Sequence, residues 1–465
     1  MKPKKIFILL PDGVGLRNFA FSNFYALGKE KNFEITYWNK TLFDLKDLDY
    51  PEVKVASGNN HFLTDILKNA RKHIELNLNI KKGNSKVYNT YRFPFVYSTV
   101  KNALRSFLTK LLIFFFSSNT GLELVRYFIK KIETKTSYFD ACLTQLKQEK
   151  PDFIFCTNQR HVLGIAPILA AQSLNIPTAT FIFSWDNLPK ATMVIETDYY
   201  FVWSDYMKNE LLHYYPYIKK EQIVITGTPQ FESHYDGFII HSRESFFETY
   251  HLDLNKKYIC YSGDDITTSP NDPIYLEDVA KAVRQLNEKG NNLGVVFRRC
   301  PVDVSNRFDA VLKSYSDVIT PIQPKWKKIG NAWDTILPTK EDLSLLANTI
   351  YHTEFVVNLG SSMVFDYVIF KKPCIYINYD VTNCVIKEWT VKKIYNYVHF
   401  QSMPSKEAVL WCNDKNELKN LFEKIITNKI SNLKEATKWF NKIDCQPANL
   451  ASYRIWNEIK KIIDE

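Results

Sequence analysis

Side chains able to do chemistry gather where short apolar runs give way to polar turns. LPDGVGLRNF, residues 10 to 19, places Asp12 directly after such a run, and Gly13 and Gly15 allow a tight turn with close backbone approach. A carboxylate there suits a general base for an incoming hydroxyl, or a group that merely caps a turn. TNQRHVLG, residues 157 to 164, ends another run and offers Asn158, Arg160 and His161. An imidazole titrates near neutrality, so His161 reads as a base, a phosphate donor or a helix-start cap. SWDNLPK, residues 184 to 190, adds Trp185, Asp186 and Asn187. An aromatic beside two short polar side chains suits a sugar ring, although the same stretch reads equally as a turn. Asp12, His161 and Asp186 are thus the catalytic candidates, with Asn158, Arg160, Trp185 and Asn187 as acceptor contacts.

A second group lies further along. SGDD (262 to 265), RRCP (298 to 301) and NLGSS (358 to 362) each follow an apolar run, and the last opens a helix-like segment carrying a lone acid, Asp366. Unpaired N–H groups at a helix start attract phosphate, and small residues let it reach the backbone. Gly263, Gly360, Ser361 and Ser362 are therefore expected to meet a diphosphate, with Arg298 or Arg299 supplying bidentate charge. Asp366, one turn in, is expected to accept from ribose hydroxyls. Taken singly, Ser361 reads as a plain N-cap and Asp366 as a first-turn acid. Their coincidence with arginines at a neighbouring strand end favours the phosphate reading.

Other chemistries lack their motifs. The third glycine of G-x-G-x-x-G is replaced by Asn18, which argues against NAD or FAD. G-x-S-x-G and G-x-x-x-x-G-K-[ST] are missing, which disfavours a serine hydrolase and a P-loop NTPase. Neither H-E-x-x-H nor H-x-H occurs, so no metal is expected, and arginines and helix ends would hold phosphates in its place. The eight cysteines form no C-x-x-C pair, and several sit inside apolar runs as buried free thiols do. With no signal-peptide pattern and no run of ~18 apolar residues, a cytoplasmic location is expected. The net charge of +10 is scattered along the chain, which favours an anionic membrane surface, phosphorylated ligands or plain solubility over nucleic acid.

These residues need strands to hold them. Nearly continuous apolar runs at 5 to 11, 33 to 38, 152 to 157, 179 to 183, 199 to 203 and 223 to 226 alternate with helical stretches, and the pattern restarts at 258 to 263, 294 to 299, 354 to 358 and 374 to 378. Such runs suit strands covered on both faces, and the alternation predicts parallel sheets with crossover helices. The expected organisation is α/β: two doubly wound Rossmann-like domains facing a cleft, residues 1–232 on the acceptor side and 233–432 binding nucleotide sugar, with a helical tail, 433–465, packing back on the first. Residues 60–150 form a basic helical insertion. Its apolar run Leu111 to Phe116, with Lys101, Arg105 and Lys110, reads either as a patch resting on a membrane surface or as a buried helix of the first domain.

In these features the chain resembles GT-B-fold glycosyltransferases of the bacterial surface-polysaccharide type. PDGVGLRNF, VWSDYMKNELL…QIVITGTPQFE (202 to 232), RRCP and especially 339 to 380 carry the resemblance. The last segment is also similar to CDP-glycerol glycerophosphotransferases and UDP-N-acetylglucosamine 2-epimerases. The resemblance implies that Gly360, Ser361 and Ser362 meet the donor diphosphate, Asp366 the ribose, and Arg298 the phosphates, while Asp12 or His161 lies near the reacting hydroxyl. Glycerophosphotransferases commonly show R-x-H-P where this chain reads Arg298, Arg299, Cys300 and Pro301, which counts against glycerophosphate transfer. The expectation is therefore a metal-independent glycosyltransferase, with a UDP-type nucleotide sugar as co-substrate, no other cofactor, and a cell-surface glycan or lipid-linked acceptor at the inner face of the membrane. A nucleotide-sugar 2-epimerase and a non-catalytic nucleotide- or glycan-binding module are the alternatives.

Overall fold

The apolar runs do become parallel strands. In the computed structural model, which describes residues 2–330 and 335–464, a first sheet contains β1 (Lys5–Leu10), β2 (Glu34–Asn39), β3 (Glu52–Lys54), β4 (Phe153–Cys156), β5 (Thr178–Phe181), β6 (Tyr199–Val202) and β7 (Ile223–Ile225). Its order is β3-β2-β1-β4-β5-β6-β7, with every neighbouring pair parallel. Phe153 to Cys156 are wholly buried. Residues pointing to either face of β4 lose contact with water, so no polar alternation is tolerated there.

The second sheet repeats the plan. It is built from β8 (Lys257–Ser262), β9 (Leu293–Arg298) and β10 (Ile319–Ile322), followed by a small antiparallel pair, β11 (Trp326–Lys328) and β12 (Ile336–Pro338), and then β13 (Thr353–Asn358), β14 (Cys374–Ile377) and β15 (Leu410–Cys412). The order is β10-β9-β8-β13-β14-β15. Each sheet grows outward in one direction and then reverses, between β1 and β4 in the first and between β8 and β13 in the second. Connections leave to opposite faces at such a reversal, which opens a crevice at the carboxyl ends of those two strands.

The chain divides into two compact units, Met1–Pro229 with Ile443–Glu465, and Gln230–Lys442. The stretch after residue 232 contributes Phe246 and Phe247 to a core cluster of the second unit with Leu252, Tyr258, Val296 and Ile322. The tail is not one element. The helix Leu433–Ile443 carries Trp439 and Phe440 against Phe365, at ring separations of 4.8 and 6.1 Å in the second unit. The helix Ala451–Asp464 stacks Trp456 on Phe24 at 4.6 Å, and its Nε1 donates to the Phe24 carbonyl at 2.7 Å in the first.

Between β3 and β4 lie four helices, Thr64–Gly83, Val100–Phe116, Asn119–Glu133 and Ser137–Glu149. A buried ion network anchors them. Arg126 grips Glu196 bidentately at 2.7 and 2.8 Å, and Arg71 reaches Glu196 at 3.1 Å and Glu75 at 2.9 Å. Among the described residues no helix is long and apolar enough to cross a membrane.

Candidate functional site

The reversal point of the first sheet brings together residues far apart in sequence. Asp12 follows β1 and Asn158 follows β4, and β1 pairs with β4 through Leu9 and Cys156. Asn158 Nδ2 donates to Asp12 Oδ2 at 2.6 Å, and the Val14 N–H donates to Oδ1 at 3.1 Å. Asp12 thereby caps the short turn Gly13–Gly15. Gly15 is required here, because a Cβ would fall 2.3 Å from Thr157 Oγ1. Asn158 is held in turn by the Arg160 N–H, which donates to its Oδ1 at 2.9 Å.

Burial raises the Asp12 carboxyl above the ordinary carboxylate range, and the charges of His161 and Arg160 with the Asn158 bond oppose that rise. Desolvation disfavours the anion while nearby donors favour it, so the group is more basic than a surface aspartate yet kept oriented. His161 Nδ1 accepts from the Leu163 N–H at 3.3 Å, so the neutral ring carries its hydrogen on Nε2. The capping function is therefore realised at Nδ1.

Other first-unit candidates are placed differently from expectation. Asp186 is engaged within its own turn: Ser184 Oγ donates to it at 2.6 Å, Asn187 Nδ2 at 2.8 Å, and Lys190 forms an ion pair with it. The lysine beside it favours the anion, whereas burial of Asp12 disfavours it. Trp185 is buried, so its ring is not the open stacking surface the sequence suggests. Asn187 is likewise buried and accepts from Gln159 Nε2 at 3.0 Å. Arg160 is half-buried over the Phe183 ring at 5.4 Å.

In the second unit the reversal point is flanked by the loop after β8, with Gly263 and Asp264, and the loop after β13, with Gly360, Ser361 and Ser362. Gly360 has φ +70, and a Cβ would meet Ile394 Cγ2 at 3.0 Å and Phe400 Cζ at 3.1 Å, so both backbone and space demand glycine. The Ser361 N–H donates to Asn358 Oδ1 at 3.0 Å, and Ser361 Oγ accepts from the Met363 N–H at 3.4 Å. Gly263 approaches Phe297, where a Cβ would lie 3.0 Å from the ring, and its N–H donates to the Arg298 carbonyl.

Two expected donor contacts are otherwise engaged. Asp366, the expected ribose acceptor, is buried and its Oδ1 lies 2.7 Å from His234 Nε2. It faces inward because the helix Met363–Ile369 buries its first six residues. Arg298 is buried, its Nη2 donating to both Asp342 oxygens at 3.1 and 2.8 Å. Asp342 also accepts from the Lys325 N–H at 2.8 Å and Trp326 Nε1 at 2.7 Å. Arg298 Nη1 and Arg299 Nε remain without a hydrogen-bond partner although buried, while Arg299 Nη1 donates to the Ser305 carbonyl at 2.7 Å. The guanidinium hydrogens still available for an anion are thus fewer than sequence suggests.

Sequence reasoning missed Asp264, although the SGDD stretch was in view. Its Oδ2 is buried without a partner, and burial with the neighbouring Asp272 charge pushes its carboxyl well above the ordinary range. Asp272 accepts from Tyr261 Oη at 2.6 Å and from the Asp264 N–H at 2.8 Å, and burial pushes it up to about 6. The signal available was two adjacent acids at a strand end; their burial was invisible. The chain's D-x-D spacing, Asp47 to Asp49, sits at the turn leading into edge strand β3, and no metal-holding group of three or more His, Cys, Asp or Glu occurs among the described residues.

No protein-family model and no curated protein matches this chain. Solved structures do. A Staphylococcus aureus MnaA structure with UDP aligns at TM-score 0.53 and 15% identity, covering 99% of this chain and 97% of that one. A UDP-GlcNAc 2-epimerase from Neisseria meningitidis bound to UDP-GlcNAc aligns at TM-score 0.53 and 11% identity, covering 99% and 100%. A glycosyltransferase from Rickettsia africae aligns at TM-score 0.51 and 12% identity, covering both chains completely at 100%. The chain therefore has the GT-B fold: two Rossmann-like α/β units with a helical C-terminal tail.

Proposed function

We propose that this protein is a glycosyltransferase that moves a sugar from a nucleoside-diphosphate donor to an acceptor hydroxyl, with Asp12 as the proton acceptor. The observation that carries this reading is the Asp12 carboxyl itself, at the reversal point of the first sheet, desolvated, raised in pKa and oriented by Asn158 and Val14. A hydroxyl nucleophile needs such a base as its oxygen attacks the anomeric carbon. In one displacement the new carbon–oxygen bond forms, the acceptor proton passes to Asp12, and the bond to the diphosphate breaks with its electron pair leaving on phosphate. Gly360, Ser361, Ser362 and the buried, unpaired guanidinium hydrogens of Arg298 and Arg299 are the groups that would receive that growing charge. The displacement predicts an inverted product anomer.

A second reading, 2-epimerisation of the nucleotide sugar, is favoured by what the aligned structures are named for: UDP-GlcNAc 2-epimerases at full coverage. It needs no acceptor. A thermal-shift panel of UDP, GDP, CDP and their sugars identifies the donor, since a ligand that binds only the folded state raises its midpoint. Incubation of that donor alone, followed by NMR of the sugar, separates the readings. A 2-epimer formed without acceptor overturns transfer, and stabilisation by no nucleotide overturns both.

A further inference from the structure

The helix Val100–Phe116 wears its amphipathicity inside out. Its buried positions include the polar Ser106 and Thr109, whose hydroxyls donate to the Val96 and Arg105 carbonyls at 2.8 Å each. Only Leu112, Ile113 and Phe116 pack against the core of the first unit. Val100, Leu104, Phe107, Leu111 and Phe114, spaced four and three residues apart along one stripe, are 88, 57, 56, 38 and 80% exposed, and Phe115 is 71% exposed. Large apolar side chains gain free energy by leaving water, so a face left this open expects a cover. The segment is thus a helix of the first unit that packs one side on its core and leaves its apolar stripe outside.

Charge says what that cover is. Residues 76 to 122 contain no aspartate or glutamate and seven Lys or Arg (Lys81, Lys82, Lys86, Arg92, Lys101, Arg105 and Lys110). Lys110 lies 5.0 and 5.2 Å from the Phe95 and Tyr97 rings, and Lys72 lies 3.8 Å from the exposed Phe93 ring. Beside the helix opens a cavity of about 370 Å³ that Lys68, Lys72 and Arg105 enter with Phe93 and Phe95. Its one acid, Asp65, pairs with Lys68 at 3.3 Å. Burial and the charges of Lys190, Lys68 and Arg160 push Lys72 down to about 8, against the opposing charge of Glu75. A two-fold pairing of this face with a second copy would bring two acid-free basic surfaces together, so self-association is disfavoured.

We propose that this face seats the protein on an anionic lipid bilayer, with the apolar stripe in the interfacial layer and Lys101, Lys110 and the Lys72–Arg105 cavity on lipid phosphates. Aromatic rings flanked by lysine and arginine stems suit that layer, where one end of the side chain is apolar and the other wet. The attraction to anionic headgroups is screened by salt. The test is sedimentation of the full chain with vesicles of phosphatidylcholine mixed with phosphatidylglycerol, against pure phosphatidylcholine vesicles, at low and high salt. The protein is expected to sediment with the mixed vesicles at low salt and much less with the others. The double variant Phe114→Ser/Phe115→Ser and the double variant Lys101→Gln/Lys110→Gln are each expected to weaken that partition by on the order of tenfold. Both pairs are exposed, so their thermal midpoints should match the parent's. Failure of the parent protein to bind mixed vesicles, or unchanged binding by the phenylalanine variant, overturns the proposal. A dimer in light scattering that the phenylalanine variant dissolves, with no vesicle binding, assigns the face to a second copy instead.

Discussion

Replacing Asp12 with asparagine tests the proposed base and the local geometry together. The variant keeps an acceptor for the Val14 N–H, but its new amide faces Asn158 Nδ2 across what is now a 2.6 Å contact between two donors. Asn158 is wholly buried, and turning its amide over would strip the Arg160 N–H of the oxygen it reaches at 2.9 Å. Either way one buried donor is left unpaired, at a cost of about 1–3 kcal/mol. The pH dependence has a definite sign. The Asp12 carboxyl is raised by burial, so its contribution to stability is greatest below the unfolded carboxyl value and falls as pH rises through the folded one. Asparagine lacks that fall, so the gap in stability between parent and variant narrows as pH increases. Turnover should drop about 10²–10⁴-fold, read as nucleoside diphosphate released from a panel of UDP-sugars with nucleotide affinity retained. In Asp12→Asn/Asn158→Asp, the asparagine donates to the new carboxylate while its other oxygen takes the Arg160 N–H, so stability should return without turnover. Parent-level turnover in Asp12→Asn refutes the base assignment, and no recovery of stability in the double variant refutes the hydrogen-bond account.

Three further outcomes follow from buried groups in the second unit and from the thiols. Arg298→Met leaves the Asp342 carboxylate buried with only the Lys325 N–H and Trp326 Nε1, and should cost about 3–5 kcal/mol in urea unfolding; a loss below about 1 kcal/mol would show that the pair is not buried as described. Asp264→Asn removes a carboxyl forced up by burial and by Asp272. The parent loses stability from this pair as pH climbs above the unfolded carboxyl value and through about 6 for Asp272, so the variant should gain more at pH 8 than at pH 5, and an equal gain at both would contradict the coupling. Cys142, Cys156, Cys260, Cys374 and Cys412 are buried, with thiols pushed above their ordinary value, so a thiol reagent should count at most three cysteines in native protein and eight in urea.

The ten strand-like runs legible in the sequence all become strands, and nine of them are interior strands buried over nearly their whole length; the tenth, β7, is an edge strand with Val224 and Ile225 half-buried. What the sequence concealed were the other three edges. β3 spans Glu52–Lys54, β10 includes Pro321, and β15 is three residues long. Edge strands are short and half-wet, and they tolerate charge and proline, so they leave no apolar signature.

The sequence by itself determined that strand ends would carry the polar groups: Asp12, Asn158 and the Gly360 to Ser362 loop stand at carboxyl ends because a parallel strand stops where its apolar run stops. It could not tell an open carboxylate from a committed one. Asp366 against His234, Asp186 against Lys190 and Arg298 against Asp342 are pairings made across 132, 4 and 44 residues, and even the nearest depends on how a turn closes. The tertiary structure alone decided which charged groups are spent on one another and which, like Asp12 in the first unit, are held desolvated and oriented. It alone also turned the apolar side of the helix Val100–Phe116 outward. Helical periodicity shows that a helix has two faces, but only packing decides which of them is buried.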